Sequence, residues 1–306
     1  ELPKIILKYR EYEKLRSTYI EGLKNEIVKH RIHTSYNLFG TTTGRLSSEK
    51  PNLQNIPNKT AIGQKIREFF IADNNHSFII ADYSQIELRV LAHLSKDKNM
   101  ISMLKNRDAD IHSETAARIF NMDIDSVSKD MRRKAKEVNF GLIYGMESFG
   151  LSKSLDIPKK EATELIDSYF NQFPKIKGYL DSIVKNAESS TFTETLYGRK
   201  RFIRELASSN FQLKAMGKRI AMNAPIQGTA SDIMKISMIK LEDKIKKLNS
   251  TDIILQIHDE IIIQTPDDIA SKTAKLVQKE MENATVLDVP LYVDIKQNKN
   301  LANFNN

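Results

Sequence analysis

Cysteine is absent from this 306-residue chain. That excludes disulfides and thiolate metal sites, and it fits a reducing compartment. No uninterrupted apolar run approaches the roughly 18 residues a membrane-spanning helix needs. The chain opens at Glu1, without methionine and without an apolar signal segment, directly in a charged helical pattern. We therefore expect a piece of a longer sequence. Internal repeats and low-complexity tracts are also missing. What is present is ordinary for a globular protein, with 40% hydrophobic and 28% charged residues. The length allows about two domains or subdomains. A net charge of +8 suits a polyanionic partner, since lysine and arginine neutralise phosphates. Charge alone does not separate such a partner from a merely soluble basic protein.

With 11 glycines and 8 prolines, the pattern has few punctuation marks. Ile5 to Lys29 reads as helix, Arg31 to Phe39 as a short strand, and Gly40 to Pro57 as a polar loop. Ile66 to Tyr83 reads as two strands around an Asp73-Asn74-Asn75 turn. Ser84-Gln85-Ile86-Glu87 matches a capping box, which predicts a helix from there through Leu94. Asp97 to Glu205 is mostly helical, broken by Pro158, Pro174 and Gly178. Asn210 to Lys247 is helical again, with an interruption expected near Pro225 and Gly228. Ile253–Ile257 and Glu260–Gln264 form a hairpin pattern around His258-Asp259, followed by a helix to Asn283 and a last strand at Leu291–Ile295. Strands at both ends with helices between predict an α+β fold, an antiparallel sheet carrying an inserted, mostly helical subdomain.

Two acidic motifs carry the chemistry. Asp82 follows the strand-like Phe78-Ile79-Ile80-Ala81, and Asp259-Glu260 follows Ile253 to Ile257 and His258. One such aspartate is usually a turn residue or helix cap. Two at the ends of apolar strands suggest a shared site for a hard cation such as Mg²⁺. Glu260 is either a third ligand or a group that supports one. Between the motifs, Arg132, Lys136, Phe140 and Tyr144 are spaced by four and form one drifting stripe on a helix. The stripe is cationic first and aromatic second, the polarity of a nucleoside triphosphate with its phosphates and flat base. By itself it reads better as an ordinary amphipathic helix with a solvated basic end. Metal, phosphate grip and stacking surface together point to nucleotidyl transfer.

Residues 82–89 (Asp-Tyr-Ser-Gln-Ile-Glu-Leu-Arg), 132–145 (Arg-Arg-x-Ala-Lys-x-x-Asn-Phe-Gly-x-x-Tyr-Gly) and 258–260 (His-Asp-Glu) resemble motifs A, B and C of family A DNA polymerases of bacterial type. Thr43 to Ser48, Pro51 to Pro57, Asp110-Ile111-His112, Tyr197-Gly198-Arg199 and Arg219 through Ala230 extend the likeness over nearly the whole chain, in the family's order. The resemblance implies a right-hand polymerase with an antiparallel-sheet palm and helical fingers. Its expected segments are a thumb base at 1–30, palm at 31–96, fingers at 97–209 and palm again at 210–306. It implies that Asp82, Asp259 and the Tyr83 carbonyl hold two Mg²⁺ ions, with Glu260 nearby. Arg132, Lys136 and His112 would grip the incoming triphosphate with Gln85 near it, and Lys136 would also protonate pyrophosphate. Phe140 would pack on the nucleotide, Tyr144 would sit by the templating base, and Glu87 would exclude a ribose 2′-OH. Arg45, Asn55, Gln227 and His258 would touch the primer–template near its terminus, and Arg219 and Asn223 the template side. The implied partners are primer–template DNA and deoxynucleoside triphosphates, for a monomeric cytoplasmic, nucleoid-associated enzyme of replication and repair with no membrane role. An organellar origin is the alternative.

Two features depart from the family's pattern. Its polymerase region begins well before Glu1, so most of the thumb and the exonuclease domains are expected to be missing, with weak, distributive DNA binding as the result. The glycine-rich Asn-Trp ending is replaced by Lys296 to Leu301 in a chain without tryptophan. A single-subunit RNA polymerase shares the architecture but is expected to carry a small residue in place of Glu87. A nucleic-acid-binding remnant is expected to have lost Asp82, Asp259, Arg132 or Lys136, and all four are present.

Overall fold

Four runs rich in isoleucine and valine pair into one antiparallel sheet in the order β4-β1-β3-β2. The strands are β1 (His76–Tyr83), β2 (Asp252–Ile257), β3 (Glu260–Pro266) and β4 (Val293–Asn298). The computed structural model describes residues 1–58 and 60–302. Residues 303–306, the end of the expected second palm segment, lie outside the described residues. Period-two alternation sends Phe78 and Ile80 of β1 to one face, where they join Leu255, Ile257 and Ile262 in a core closed by Leu15, Tyr19, Leu53 and Ile66. Ile79, Ala81 and Tyr83 point to the other face and are buried as well. There the Tyr83 hydroxyl donates to the Met281 carbonyl at 2.7 Å and pairs with the Ser237 hydroxyl. A strand buried on both faces reads as a continuous apolar run, which is how Phe78 to Ala81 reads.

By contacts the chain forms two units. The first holds residues 1–83, 237–281 and those from Val293 on, and contains the sheet. The second holds 84–236 and 282–292 and is mostly helical. In this division residues 84–96 and 210–236 go with the helical unit, and residues 1–30 go with the sheet. The helices used below are α1 (Ile86–Ser95), α2 (Ile111–Phe120), α3 (Lys129–Ile143), α4 (Phe211–Ile245) and α5 (Ala270–Glu282). No helix among the described residues is long and apolar enough to cross a membrane.

Three expectations need correction. The hairpin around Asp73–Asn75 does not form, because its first arm is a helix, Ala61–Glu68, capped by Thr60 Oγ1 accepting from the Gly63 amide at 3.1 Å. The cap and the burial of Ile66 and Arg67 on one side decide for helix. Strand character in this stretch is confined to β1 and a single bridge from Ile71 to Asn300. Next, α4 runs unbroken through Pro225 and Gly228. Proline removes one amide donor there, and burial of Ala221, Ala224, Ile226 and Ala230 around it holds the helix together. Finally, the Gly40–Pro57 loop contains a short strand, Ser47–Glu49, paired with Ser35–Asn37.

Arg89 sits inside the second unit, 2% exposed. Its Nε donates to the Ser84 carbonyl at 2.7 Å, and its Nη1 donates to Leu104 and Pro290 carbonyls at 2.8 and 2.9 Å. The guanidinium also lies 4.6 Å from the Tyr292 ring centroid. Arg89→Met keeps the stem's volume and strands these acceptors, so it should cost on the order of 3 kcal/mol in urea unfolding. A loss under about 1 kcal/mol would contradict this role for the guanidinium.

Candidate active site

Asp82 ends the apolar run of β1, and both strands beside it place a carboxylate across from it. Glu260 of β3 and Asp294 of β4 are its register partners. Directly opposed like charges destabilise a sheet, so this end of the sheet is not arranged for stability. The β2–β3 turn brings in a further carboxylate. His258 takes φ +52 there, and the Tyr83 amide donates to the Asp259 carbonyl at 3.1 Å, tying the turn to the end of β1. Burial, then the charges of Glu260, Asp259 and Asp294, push the Asp82 carboxyl up to about 7 against the pull of Lys296. Its side chain nevertheless meets solvent, which screens the repulsion and leaves the group accessible to an ion. Burial also raises Asp259, opposed by Arg45, whose Nη2 stands 3.6 Å from Asp259 Oδ1. Burial raises Glu260 as well, opposed by Arg67 at 3.6 Å, which is 3% exposed, and by Lys296.

The donors here are all oxygen, and burial and mutual repulsion favour their protonated forms. That is the chemistry of a site suited to a hard divalent cation. Among the described residues no three carboxylate or imidazole groups form a closed cage. Mg²⁺ is commonly held by one or two carboxylates completed by water and substrate phosphates. Asp82, Asp259 and a backbone carbonyl fit that pattern, with Glu260 turned toward Arg67 as a supporting group.

In the second unit α3 presents Arg132, Lys136 and Phe140 on its less buried side, and Tyr144 follows at its C-cap. The opposite side buries Ala135, Val138, Asn139 and Leu142. Twelve residues of helix make the stripe about 18 Å long. Arg132 Nε donates to Asp110 Oδ2 at 2.5 Å. The other Asp110 oxygen caps α2, accepting from the His112 and Ser113 amides at 3.1 and 3.3 Å. Partial burial works against ionisation of Asp110, and the bonds from Arg132 and Ser113 outweigh it, holding the carboxyl down at about 2. His112 is 4% exposed, with its ring 5.6 Å from that of Phe140. Burial, then Lys136 and Arg132, lower it to about 4, so it is neutral at physiological pH.

Glu87 is buried in α1 and accepts from the Tyr144 hydroxyl at 3.0 Å. The capping-box reading of Glu87 does not hold. The helix starts one residue later, with Gln85 as its N-cap in the left-handed region at φ +53. Gly145, at φ +66, follows Tyr144, and a Cβ there would lie 2.9 Å from Arg219 Cγ. Glycine is required on both counts. Arg219 is exposed on α4, and Asn223 and Gln227 follow one and two turns later, partly buried. Arg45, Asn55 and His258 belong to the first unit, with Asn55 exposed and its carbonyl accepting from Tyr19.

A family model described as DNA polymerase family A matches residues 1–303. The chain belongs to this family. DNA polymerase I of Caldicellulosiruptor bescii is 48% identical over 303 residues, 98% of this chain and 36% of that protein. DNA polymerase I of Bacillus subtilis is 47% identical over 293 residues, 94% of this chain and 33% of that protein. The chain thus spans about a third of the length of these curated relatives. Among solved structures, the POL domain of Pol1 from M. smegmatis, in complex with DNA primer–template and dNTP, superposes with a TM-score of 0.92 at 39% identity. The match covers 97% of this chain and 52% of that one. Family membership makes the α+β sheet and its inserted helices the expected architecture. Asp294, Asp110 and Asn139 were not singled out as site residues by sequence reasoning, although Asp110 and Asn139 fall inside quoted motifs.

Proposed function

We propose that this chain is a template-directed DNA polymerase, adding deoxynucleotides to a primer 3′-OH and releasing pyrophosphate. The observation that carries the reading is the acidic sheet end, where Asp82 faces Glu260 and Asp294 across strands that alone gain nothing from opposed charges, and Asp259 joins them from the β2–β3 turn. In this reading residues 31–96 and 210–306 are palm, residues 97–209 are fingers, and residues 1–30 are the base of a thumb. Asp82, Asp259 and the Tyr83 carbonyl would hold two Mg²⁺ ions. When bound, such ions lower the pKa of the attacking hydroxyl and neutralise charge on the phosphates. Arg132 and Lys136 place cations for the triphosphate. Lys136 is also the exposed ammonium that can give a proton to departing pyrophosphate. His112, neutral and buried, offers a single N–H. Phe140 backs the sugar and base, Tyr144 stands by the templating base, and Gln85 lies beside the triphosphate. Arg45, Asn55, Arg219, Asn223, Gln227 and His258 form the DNA-contacting set. The inferred setting is a cytoplasmic monomer acting in replication and repair. Primer extension with Mg²⁺, comparing deoxy- and ribonucleotides, tests this; preferred ribonucleotide addition would favour an RNA polymerase instead.

Glu87 supplies a second test. Its carboxylate is buried and held by Tyr144, so it occupies fixed space as a steric gate should. Glu87→Ala is expected to erode discrimination against ribonucleotides by on the order of a hundredfold. Unchanged discrimination, with only thermal stability lost, would assign Glu87 a purely structural role.

A further inference from the structure

One buried network in the second unit bears on which His112 nitrogen carries the proton. Asn139 is fully buried on the inner side of α3. Its Nδ2 donates to Thr115 Oγ1 at 3.0 Å and lies 3.3 Å from His112 Nδ1. Thr115 is also fully buried, and its one hydroxyl proton is committed to the Ile111 carbonyl at 2.7 Å. Thr115 Oγ1 therefore accepts, and the Asn139 atom facing it must be the amide nitrogen. The second proton of that nitrogen is left for His112 Nδ1, which must then be the bare, accepting nitrogen. Asn139 Oδ1 has no partner among the described residues. The flipped amide would orphan two donors in its place, the costlier arrangement.

We propose that Asn139 is a positioning residue that holds His112 as its neutral Nε2–H tautomer, so that the ring offers one N–H donor to a triphosphate oxygen. This rests on the nucleotide-binding role given to His112 above. A bare Nε2 would instead direct a lone pair at an anionic oxygen, so the tautomer decides whether the residue attracts or repels the ligand. The charged groups acting on the ring are Lys136 and Arg132 from α3 and Asp110 from the start of α2. The cations keep the ring neutral, and Asn139 selects its tautomer.

The test is ¹⁵N NMR of the histidine-labelled full chain, without nucleotide. The expected signature for His112 is a bare Nδ1 and a protonated Nε2. Asn139→Asp replaces the donor with an acceptor, so the proton should move to Nδ1 and the titration midpoint rise by about one pH unit or more. Thr115→Val is a near-isosteric variant that folds more readily, with far-UV circular dichroism as the check. It frees the amide to flip and should give a mixed His112 signal. A protonated, uncharged Nδ1 in the parent would overturn the inference, as would an unchanged His112 signature in both variants. The nucleotide role is read separately, from the deoxynucleotide KM of His112→Ala, expected to rise about tenfold or more. An unchanged KM there overturns the role while the tautomer assignment stands.

Discussion

Replacing Asp82 or Asp259 with alanine is expected to lower primer extension by about a thousandfold or more, since charge neutralisation by bound metal is worth several kcal/mol in the transition state. The fold should survive the change. Asp82 faces Glu260 and Asp294 across its neighbouring strands, so deleting its charge relieves repulsion. The sign follows from the raised carboxyl. Its folded value near 7 lies above the roughly 3.9 of an unfolded aspartate. Asp82 thus contributes its full stability below pH of about 4, and loses it as pH rises through about 7. In metal-free buffer at pH 8, Asp82→Asn should melt above the parent, and the gap should close toward pH 4. Added Mg²⁺ should raise the parent's midpoint more than the variant's. A variant that extends primers at near-normal rate would remove Asp82 from the metal site.

Arg132→Ala and Lys136→Ala are each expected to weaken deoxynucleotide binding by about 1.5–3 kcal/mol, roughly 10- to 150-fold, with duplex DNA binding far less affected. Lys136 is exposed on α3, so under the proposed reading its truncation removes a phosphate contact and little else. Arg132 already pairs with Asp110, both about half exposed, so this ion pair adds little stability of its own. Its use is positional, because the same aspartate caps α2 and sets His112 at the start of that helix. Asp110→Asn keeps a capping oxygen and removes the charge, so it should cost nucleotide affinity more than it costs helix stability. If Lys136→Ala or Arg132→Ala lowers DNA affinity while nucleotide KM and kcat stay at parent values, the stripe has been assigned the wrong ligand.

Much of the candidate site was legible in the sequence because its residues come in short motifs at element ends. Asp82 followed a strand-length apolar run, and His258-Asp259 filled a two-residue turn between two others. The stripe from Arg132 to Tyr144 needed only the helical period. Asp294 was not legible as part of the acidic cluster. Nothing local to Val293-Asp294-Ile295 states that β4 pairs with β1 in the register that sets Asp294 opposite Asp82. Glu87 was ambiguous for a related reason. Its spacing from Ser84 satisfies a local capping rule, while its actual partner, Tyr144, is 57 residues away. The segment before β1 was misjudged because Ile66, Phe69, Phe70 and Ile71 mix strand propensity with a helical cap at Thr60, and the cap decided. Pro225 was overweighted as a breaker, since burial around it holds α4 continuous.

The most direct measurement is single-nucleotide incorporation on primer–templates that differ only in the templating base, with Mg²⁺ and with chelator, for the parent chain beside Asp82→Ala and Asp259→Ala. The account predicts that the parent adds the complementary deoxynucleotide opposite each base, only with metal present, and that both variants fail. Addition without regard to the template, addition in chelator, or undiminished addition by either variant would contradict it.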